Sequence, residues 1–399
     1  MITVSEAIKF IDREVGLIGT EKVDIGSACG RILGEKIIAD IDLPPFDRSQ
    51  MDGYAVMAKD VEKVPAKLRL VGESAAGSGW KGELNRDEAV RIMTGAPVPD
   101  GANAVQKLEL AEEHDDDVVI LETVNAGNFI VPKGKEITAG KQILSAGQEI
   151  TERNIAAIAS FGYKKVRVSK QPRIAILATG SEIIDIGKKP KFGQIRNSNS
   201  VMLKALAEKA GATVEIFPTC SDKAEDLSQA FEFMLGEGFD ILISTGGVSV
   251  GKYDLTKEVL GKLGAKIFFD KVRIKPGKPT VFAKLGKTFI FGLPGNPVSS
   301  AAAFCLFVRH TVRLMQSANE KLNAKQDLAV LGANIKGTKE RDLYFPVSIS
   351  TDKSGRNIAA PVNWHGSSDL VGFAAANAFA LVPAGKNYWK GDIAEIIYI

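Results

Sequence analysis

Three glycine-rich segments carry the residue types that could handle an anion. ATGSE (178–182) follows the apolar run RIAIL, STGGVSVGKYD (244–254) follows FDILI, and GLPGNPVSS (292–300) follows KTFIF. Glycine has no Cβ, so its backbone N–H can approach a ligand closely. A helix that starts directly after such a turn adds unpaired N–H groups and a positive dipole end, which suit phosphate or another oxyanion. Gly246, Gly247, Ser249 and Gly251 in the second segment are candidate substrate-binding residues, as are Pro294, Gly295, Asn296 and Pro297 in the third. Pro297 also fits the first position of a helix. The plain alternative is that these are tight strand-to-helix turns that need glycine.

Charged residues accompany the turns. Glu182, Asp222 and Asp254 could together hold Mg²⁺ beside bound phosphates, since Mg²⁺ takes one or two carboxylates plus phosphate oxygens. Each also opens or precedes an expected helix and could be a simple N-cap. KVRIKPGKP (271–279) gathers Lys271, Arg273, Lys275 and Lys278 around a Pro-Gly turn. Lysine binds oxyanions as a point charge, and the alternation of Lys271, Arg273 and Lys275 places them on one face of a strand. The alternative is a solvated basic loop. LPPFDRSQMDGYAV (43–56) holds Asp47 and Asp52, and RIMTGAPVP (91–99) holds Thr94. Spacing alone assigns neither of these a reaction, and both read equally well as loops.

The elements that must position these segments follow from periodicity. Residues 172–315 alternate strand and helix patterns, which predicts parallel βαβ units with helices on both faces and ligands beyond the carboxyl ends of the strands. Residues 3–15 predict an amphipathic helix with a Thr3/Glu6 capping box. Residues 57–139 read as short β runs with Gly and Pro punctuation. Residues 151–162 return to helical period. After about 319 the pattern is β again and fits a small barrel or sandwich.

Composition bounds the rest. The 399 residues carry 51 basic and 48 acidic side chains, a net charge of +3, which does not suggest a general nucleic-acid binder. No apolar run approaches the roughly 20 residues that span a bilayer, and no signal peptide is visible. Cys29, Cys220 and Cys305 are dispersed, as are His114, His310 and His365, which argues against disulfides and a His/Cys metal site. Cys29 is expected to be buried rather than reactive. The expected location is the cytoplasm.

In this order, LPPFDRSQMDGYAV, IMTGAPVPDGANAV, TGSEI, GQIRNSNSVML, DILISTGGVSVGKYD, KVRIKPGKPTVF, FGLPGNPVSS and the tail from Arg341 through GSSDL resemble the MoeA family, the molybdopterin molybdotransferases, and the related gephyrin E domain. The resemblance spans nearly the whole chain. It implies an enzyme of molybdenum cofactor biosynthesis that inserts molybdate into adenylylated molybdopterin with Mg²⁺-dependent release of AMP. It also implies a homodimer, with molybdopterin adenylyltransferase as a further partner. The fold implied is a multidomain α/β protein with a central doubly wound MogA-like α/β domain (171–320). Around it stand a linker and dimerisation domain (1–45 with 140–170), a β-rich insert (46–139) and a C-terminal β-barrel (321–399). The catalytic residues implied are Asp52, Thr94, Glu182, Asp222, Asp254, Lys271 and Lys275; Lys275, Lys278, Arg341 and Ser367 would take molybdate; Glu182, Asp222 and Asp254 would take the metal. The chain departs from the family pattern at Glu136, Ser181, Lys223 and Pro346. A molybdopterin adenylyltransferase, or a paralogue with altered activity, is the alternative.

Overall fold

The computed structural model describes residues 1–247, 255–319 and 326–399. The chain forms two compact units. One comprises Met1–Glu35, Ala146–Thr151 and Lys165–Ile399, the other Lys36–Ser145 and Glu152–Lys164. The first unit begins with α1 (Val4–Glu14), where the expected capping box is present: Glu6 N donates to Thr3 Oγ1 at 3.2 Å and Thr3 N to Glu6 Oε2 at 2.7 Å. Ala7 and Ile11 bury its apolar face against the core that also holds Phe304 and Phe307. β1 (Thr20–Asp24) follows.

The second unit is built on a six-stranded sheet. Its strands are β2 (Gly53–Val56), β3 (Ala66–Ser74), β4 (Glu88–Ile92), β5 (Ala104–Lys107), β6 (Ala111–His114) and β7 (Asp117–Ile120), in the order β5-β2-β4-β3-β7-β6. Only β3 and β4 pair in parallel. Tyr54, Val56, Leu68, Val118 and Ile120 fill one face of the sheet and Ala55, Val90, Ile92 and Val105 the other, the period-2 division that pleating imposes. α2 (Glu152–Ser160) completes the unit; Gly162 ends it at φ +74°, as its position after the helical pattern predicts.

The first unit resumes with β8 (Lys165–Ser169), antiparallel to β1, and then the α/β body. Its elements are β9 (Arg173–Ala178), α3 (Ser198–Lys209), β10 (Thr213–Ile216), α4 (Ala224–Gly236), β11 (Ile241–Thr245), α5 (Leu255–Lys262), β12 (Lys266–Phe269), β13 (Val281–Leu285), β14 (Thr288–Leu293) and α6 (Pro297–Ala303). A π turn over Phe304–Val308 carries α6 into a further helical stretch, Arg309–Met315. Sheet order is β10-β9-β11-β14-β13-β12. Ile174, Ile176, Ile241, Ile243, Phe289 and Phe291 pack on the α3 and α6 side. Ala175, Leu177, Leu242 and Ile290 pack on the α4 and α5 side. Helices therefore cover both faces, as expected.

One expectation is corrected. Only β10, β9, β11 and β14 pair in parallel; β13 runs against them, joined to β14 by a tight hairpin at Gly286–Lys287, and β12 pairs antiparallel with β13 at the edge. An apolar strand buried on both faces reads the same in either direction, so the sequence pattern could not separate the two.

β15 (Gln326–Leu331), β16 (Asp342–Thr351), β17 (Asn357–Pro361), β18 (Ala378–Val382) and β19 (Ile393–Tyr398) close into a five-stranded barrel, in the order β16-β17-β15-β19-β18 and back to β16. Ala359, Val347, Ala380, Val382, Ala394 and Ile396 fill its interior. Closure leaves these five strands no free edge. No helix among the described residues is long and apolar enough to cross a membrane.

Candidate active site

The parallel registers Ala178↔Thr245 and Thr245↔Leu293 bring the three glycine-rich turns out side by side at the carboxyl edge of the sheet. Backbone bonds lock them together: Thr179 N donates to Thr245 O at 2.9 Å, and Gly246 N to Leu293 O at 3.2 Å. Gly246 sits at φ +97°, and a Cβ there would lie 2.4 Å from Thr179 O. No other residue fits that position without moving the neighbouring strand end. The third turn is held by Asn199, whose Nδ2 donates to Gly295 O at 2.7 Å and to Thr245 Oγ1 at 2.9 Å.

Two helix N-termini open here. Asn197 caps α3 by accepting from Ser200 N at 3.1 Å. Asn296 precedes α6 but makes no side-chain cap; its Nδ2 donates to Ser367 Oγ at 2.9 Å instead. Val298 N donates to Ser367 O at 3.1 Å, so the loop before the short helix Leu370–Ala374 is tied to the start of α6.

These turns wall a cavity of about 1330 Å³. Gly246, Gly247, Pro294, Gly295, Asn296 and Pro297 line it, as the sequence suggested. So do the acids Glu182 and Asp222, the cations Lys275, Lys278 and Arg341, and Ser367. Ser249, Gly251 and Asp254 lie outside the described residues.

The carboxylates are not helix caps. Glu182 precedes the two-residue strand Ile183–Ile184, which pairs with Ile195–Arg196, not a helix. Asp222 stands before α4, whose N-cap is Lys223 with no side-chain bond; Asp222 Oδ2 accepts instead from Ser181 N at 3.2 Å, in the first glycine turn. Both acids are exposed to solvent. Hard oxygen donors of this kind fit Mg²⁺. Among the described residues no group of three His, Cys, Asp or Glu side chains could hold a metal alone.

The basic segment divides. Val272 and Ile274 are buried, so Lys271, Arg273 and Lys275 do alternate with them. Their targets nevertheless differ. The Arg273 guanidinium donates to Glu340 O at 3.1 Å through both Nε and Nη2, and neither Lys271 nor Arg273 lines the cavity. Lys275 does. The strand Ile274–Lys275 pairs in parallel with the start of β16, Ile274↔Asp342 and Lys275↔Leu343, which sets Arg341 beside the basic segment. Among the described residues no carboxylate pairs with Lys275, Lys278 or Arg341.

Asp52 and Thr94 lie in the second unit and meet there. Asp52 Oδ1 accepts from Thr94 N at 2.6 Å and from Thr94 Oγ1 at 2.7 Å. These two bonds, the backbone one first, hold the Asp52 carboxyl below its ordinary range. Gly53 is required next to it, because a Cβ would lie 1.9 Å from Gln106 O on β5. In the same unit Arg48 pairs with Glu136 at 3.4 Å.

Several lining residues were not singled out from sequence: Arg196, Asn199, Phe345 and Trp364. Asn199 had a readable signal, a polar residue in the first turn of a predicted helix. Trp364 had none. Cys29 is exposed, against expectation, since it sits in a turn after a short helical segment; Cys220 and Cys305 are buried.

Residues 2–162 match the MoeA N-terminal region (domain I and II), 175–314 a probable molybdopterin binding domain, and 329–399 the MoeA C-terminal region (domain IV). Over 408 residues the chain is 35% identical to a molybdopterin molybdenumtransferase of Staphylococcus aureus (strain MSSA476), covering 99% of this chain and 95% of that protein. Over 409 residues it is 33% identical to a molybdopterin molybdenumtransferase of Staphylococcus epidermidis (strain ATCC 12228 / FDA PCI 1200), with the same coverage of 99% and 95%. The crystal structure of a molybdopterin biosynthesis MoeA protein from Pyrococcus horikoshii OT3 matches with a TM-score of 0.86 at 29% identity over 100% of both chains. The similarity runs through every part of the chain, not the α/β body alone.

Proposed function

Because the chain belongs to the MoeA family, the molybdopterin molybdenumtransferases of molybdenum cofactor biosynthesis, we propose that it joins molybdate to adenylylated molybdopterin and releases AMP. The observation that carries this reading is the composition of the cavity wall. Three cations that pair with no carboxylate among the described residues, Lys275, Lys278 and Arg341, share one cavity with Ser367, three glycine-rich turns and the acids Glu182 and Asp222.

Molybdate is a tetrahedral dianion. Lys275, Lys278 and Arg341 neutralise it and Ser367 orients it by hydrogen bonding. The backbone of Gly246, Gly247 and Gly295 admits the phosphate and pterin ends of the other substrate, since no Cβ stands in the way. Breaking its phosphoanhydride moves negative charge onto the leaving AMP, and preorganised cations stabilise that charge most where it develops. Glu182 and Asp222 would hold Mg²⁺, with Asp254 as a further candidate. Bound there, the ion supplies Lewis-acid neutralisation of the phosphate oxygens. Asp52, ionised by its bonds from Thr94, is the candidate acid of the second unit, and Lys271 a further candidate cation. The reading includes a homodimer, a cytoplasmic location, the four-domain division expected from the sequence and a hand-over from molybdopterin adenylyltransferase.

The test incubates the folded protein with adenylylated molybdopterin, Mg²⁺ and molybdate. AMP release together with molybdenum insertion is expected. Absence of both from folded protein overturns the reading. Lys275→Ala is expected to reduce turnover at limiting molybdate while unfolding at the wild-type temperature; unchanged turnover would make Lys275 a solvated surface charge.

A further inference from the structure

We propose that the indole N–H of Trp364 is an anion-binding donor of this cavity, contacting an oxygen of a tetrahedral oxyanion; the inference rests on the functional reading above and adds a specificity residue to it. Trp364 lines the cavity together with Phe345, Arg341 and Ser367. Its ring is fixed. It packs against the large core of the first unit and meets Phe345 edge to face, with centroids 5.3 Å apart and planes at 85°. Its Nε1 is buried and has no hydrogen-bond partner.

An indole N–H can only donate. Buried donors without partners are rare in folded proteins because desolvation is left uncompensated. The cations of this wall cannot supply an acceptor. Lys275, Lys278 and Arg341 offer only hydrogens. Ser367 Oγ already accepts from Asn296 Nδ2 at 2.9 Å, and its own hydrogen is left to donate. With Glu182 and Asp222 assigned to the metal, the indole N–H and these cations fit a ligand that only accepts, and a tetrahedral oxyanion is such a ligand. The cavity's anionic ligands offer two sources of that chemistry, free molybdate and the phosphate of the nucleotide.

Trp364→Phe keeps the aromatic packing and removes the donor. Molybdate and AMP are titrated separately into full-length wild-type and variant protein by calorimetry. Loss of a bond to a charged oxygen is expected to raise one dissociation constant about tenfold. A change for molybdate alone assigns the donor to the metal oxyanion, and a change for AMP alone assigns it to the phosphate. Wild-type binding with both constants unchanged in the variant overturns the inference and leaves the functional reading standing. Failure of the wild type to bind either anion overturns both. Should Trp364→Phe not fold, indole ¹H–¹⁵N spectra of wild-type protein decide, with the resonances of Trp80 and Trp389 assigned by their own Phe variants. A ligand-induced downfield shift of the Trp364 N–H supports the donor role, and an unmoved resonance under saturating ligand refutes it.

Discussion

Replacing Gly246 by alanine should damage the fold more than the same change at Gly247 or Gly295 of the cavity wall. At Gly246 two effects add. The backbone stands at φ +97°, which costs an L residue roughly 1–2 kcal/mol. The new Cβ would also lie 2.4 Å from Thr179 O and 2.7 Å from Thr179 Oγ1. That carbonyl cannot swing freely away, because the N–H of the same peptide, Gly180 N, is bonded to Cys220 O at 3.1 Å. Overlap with fixed backbone costs about 1–3 kcal/mol. The sum is about 2–5 kcal/mol. Gly247 sits at φ +66°, close to the ideal left-handed value, and its Cβ would meet only the hydroxyls of Thr179 and Thr256 at 3.0 and 3.2 Å. Gly247→Ala should cost about 1–2 kcal/mol. Gly295 has no positive φ, and its Cβ would stand 3.6 Å from Gly246 Cα, an ordinary contact. Gly295→Ala should fall within about 1 kcal/mol of wild type. Thermal unfolding reads this series directly. At about 2–4 °C per kcal/mol for a domain of this size, Gly246→Ala should unfold on the order of 10 °C early. A Gly246→Ala protein that melts with the wild type, or a Gly295→Ala protein that melts below it, would refute the steric argument.

Three further expectations follow from individual contacts. Buried Tyr54 donates to Glu113 Oε2 at 2.6 Å, and burial followed by that bond pushes its hydroxyl up to about 12 from 10.0. The stability it contributes is therefore complete below pH 10 and lost as pH rises towards 12, a decline that Tyr54→Phe should remove from an alkaline denaturation profile. Asp52→Asn should cut turnover at least tenfold without lowering the unfolding temperature, while Thr94→Ala should move the Asp52 carboxyl, followed by ¹³C NMR, part of the way back up because the backbone bond survives; an unmoved Asp52 would show that the hydroxyl contributes nothing. A thiol reagent should modify Cys29 quickly in native protein and reach Cys220 and Cys305 only on unfolding, and rapid labelling of all three would contradict their burial.

The sequence made the glycine turns and the alternating body legible, because Gly and Pro punctuate apolar runs wherever strands must turn towards a site. It misled where one residue type serves two geometries. Asp222 before a helix reads as a cap, yet its carboxylate turns back to Ser181 N. Alternation placed Lys271, Arg273 and Lys275 on one face, but long-range pairing with Asp342 and Leu343 decides that only Lys275 joins the cavity. The β13–β14 hairpin hid in a pattern that carries no strand direction. The unpartnered indole of Trp364 was invisible for a simpler reason: whether a donor is satisfied depends on the whole fold around it.

The pairing of Ile274–Lys275 with the start of β16 has one more consequence. It places Lys275 and Arg341 by main-chain register, which is indifferent to the side chains on either strand. Substitutions along both segments should therefore leave the separation of the two charges unchanged. A single inserted or deleted residue in either strand would turn one of the charges to the opposite face. The anion site is tolerant of spelling changes and intolerant of changes in length.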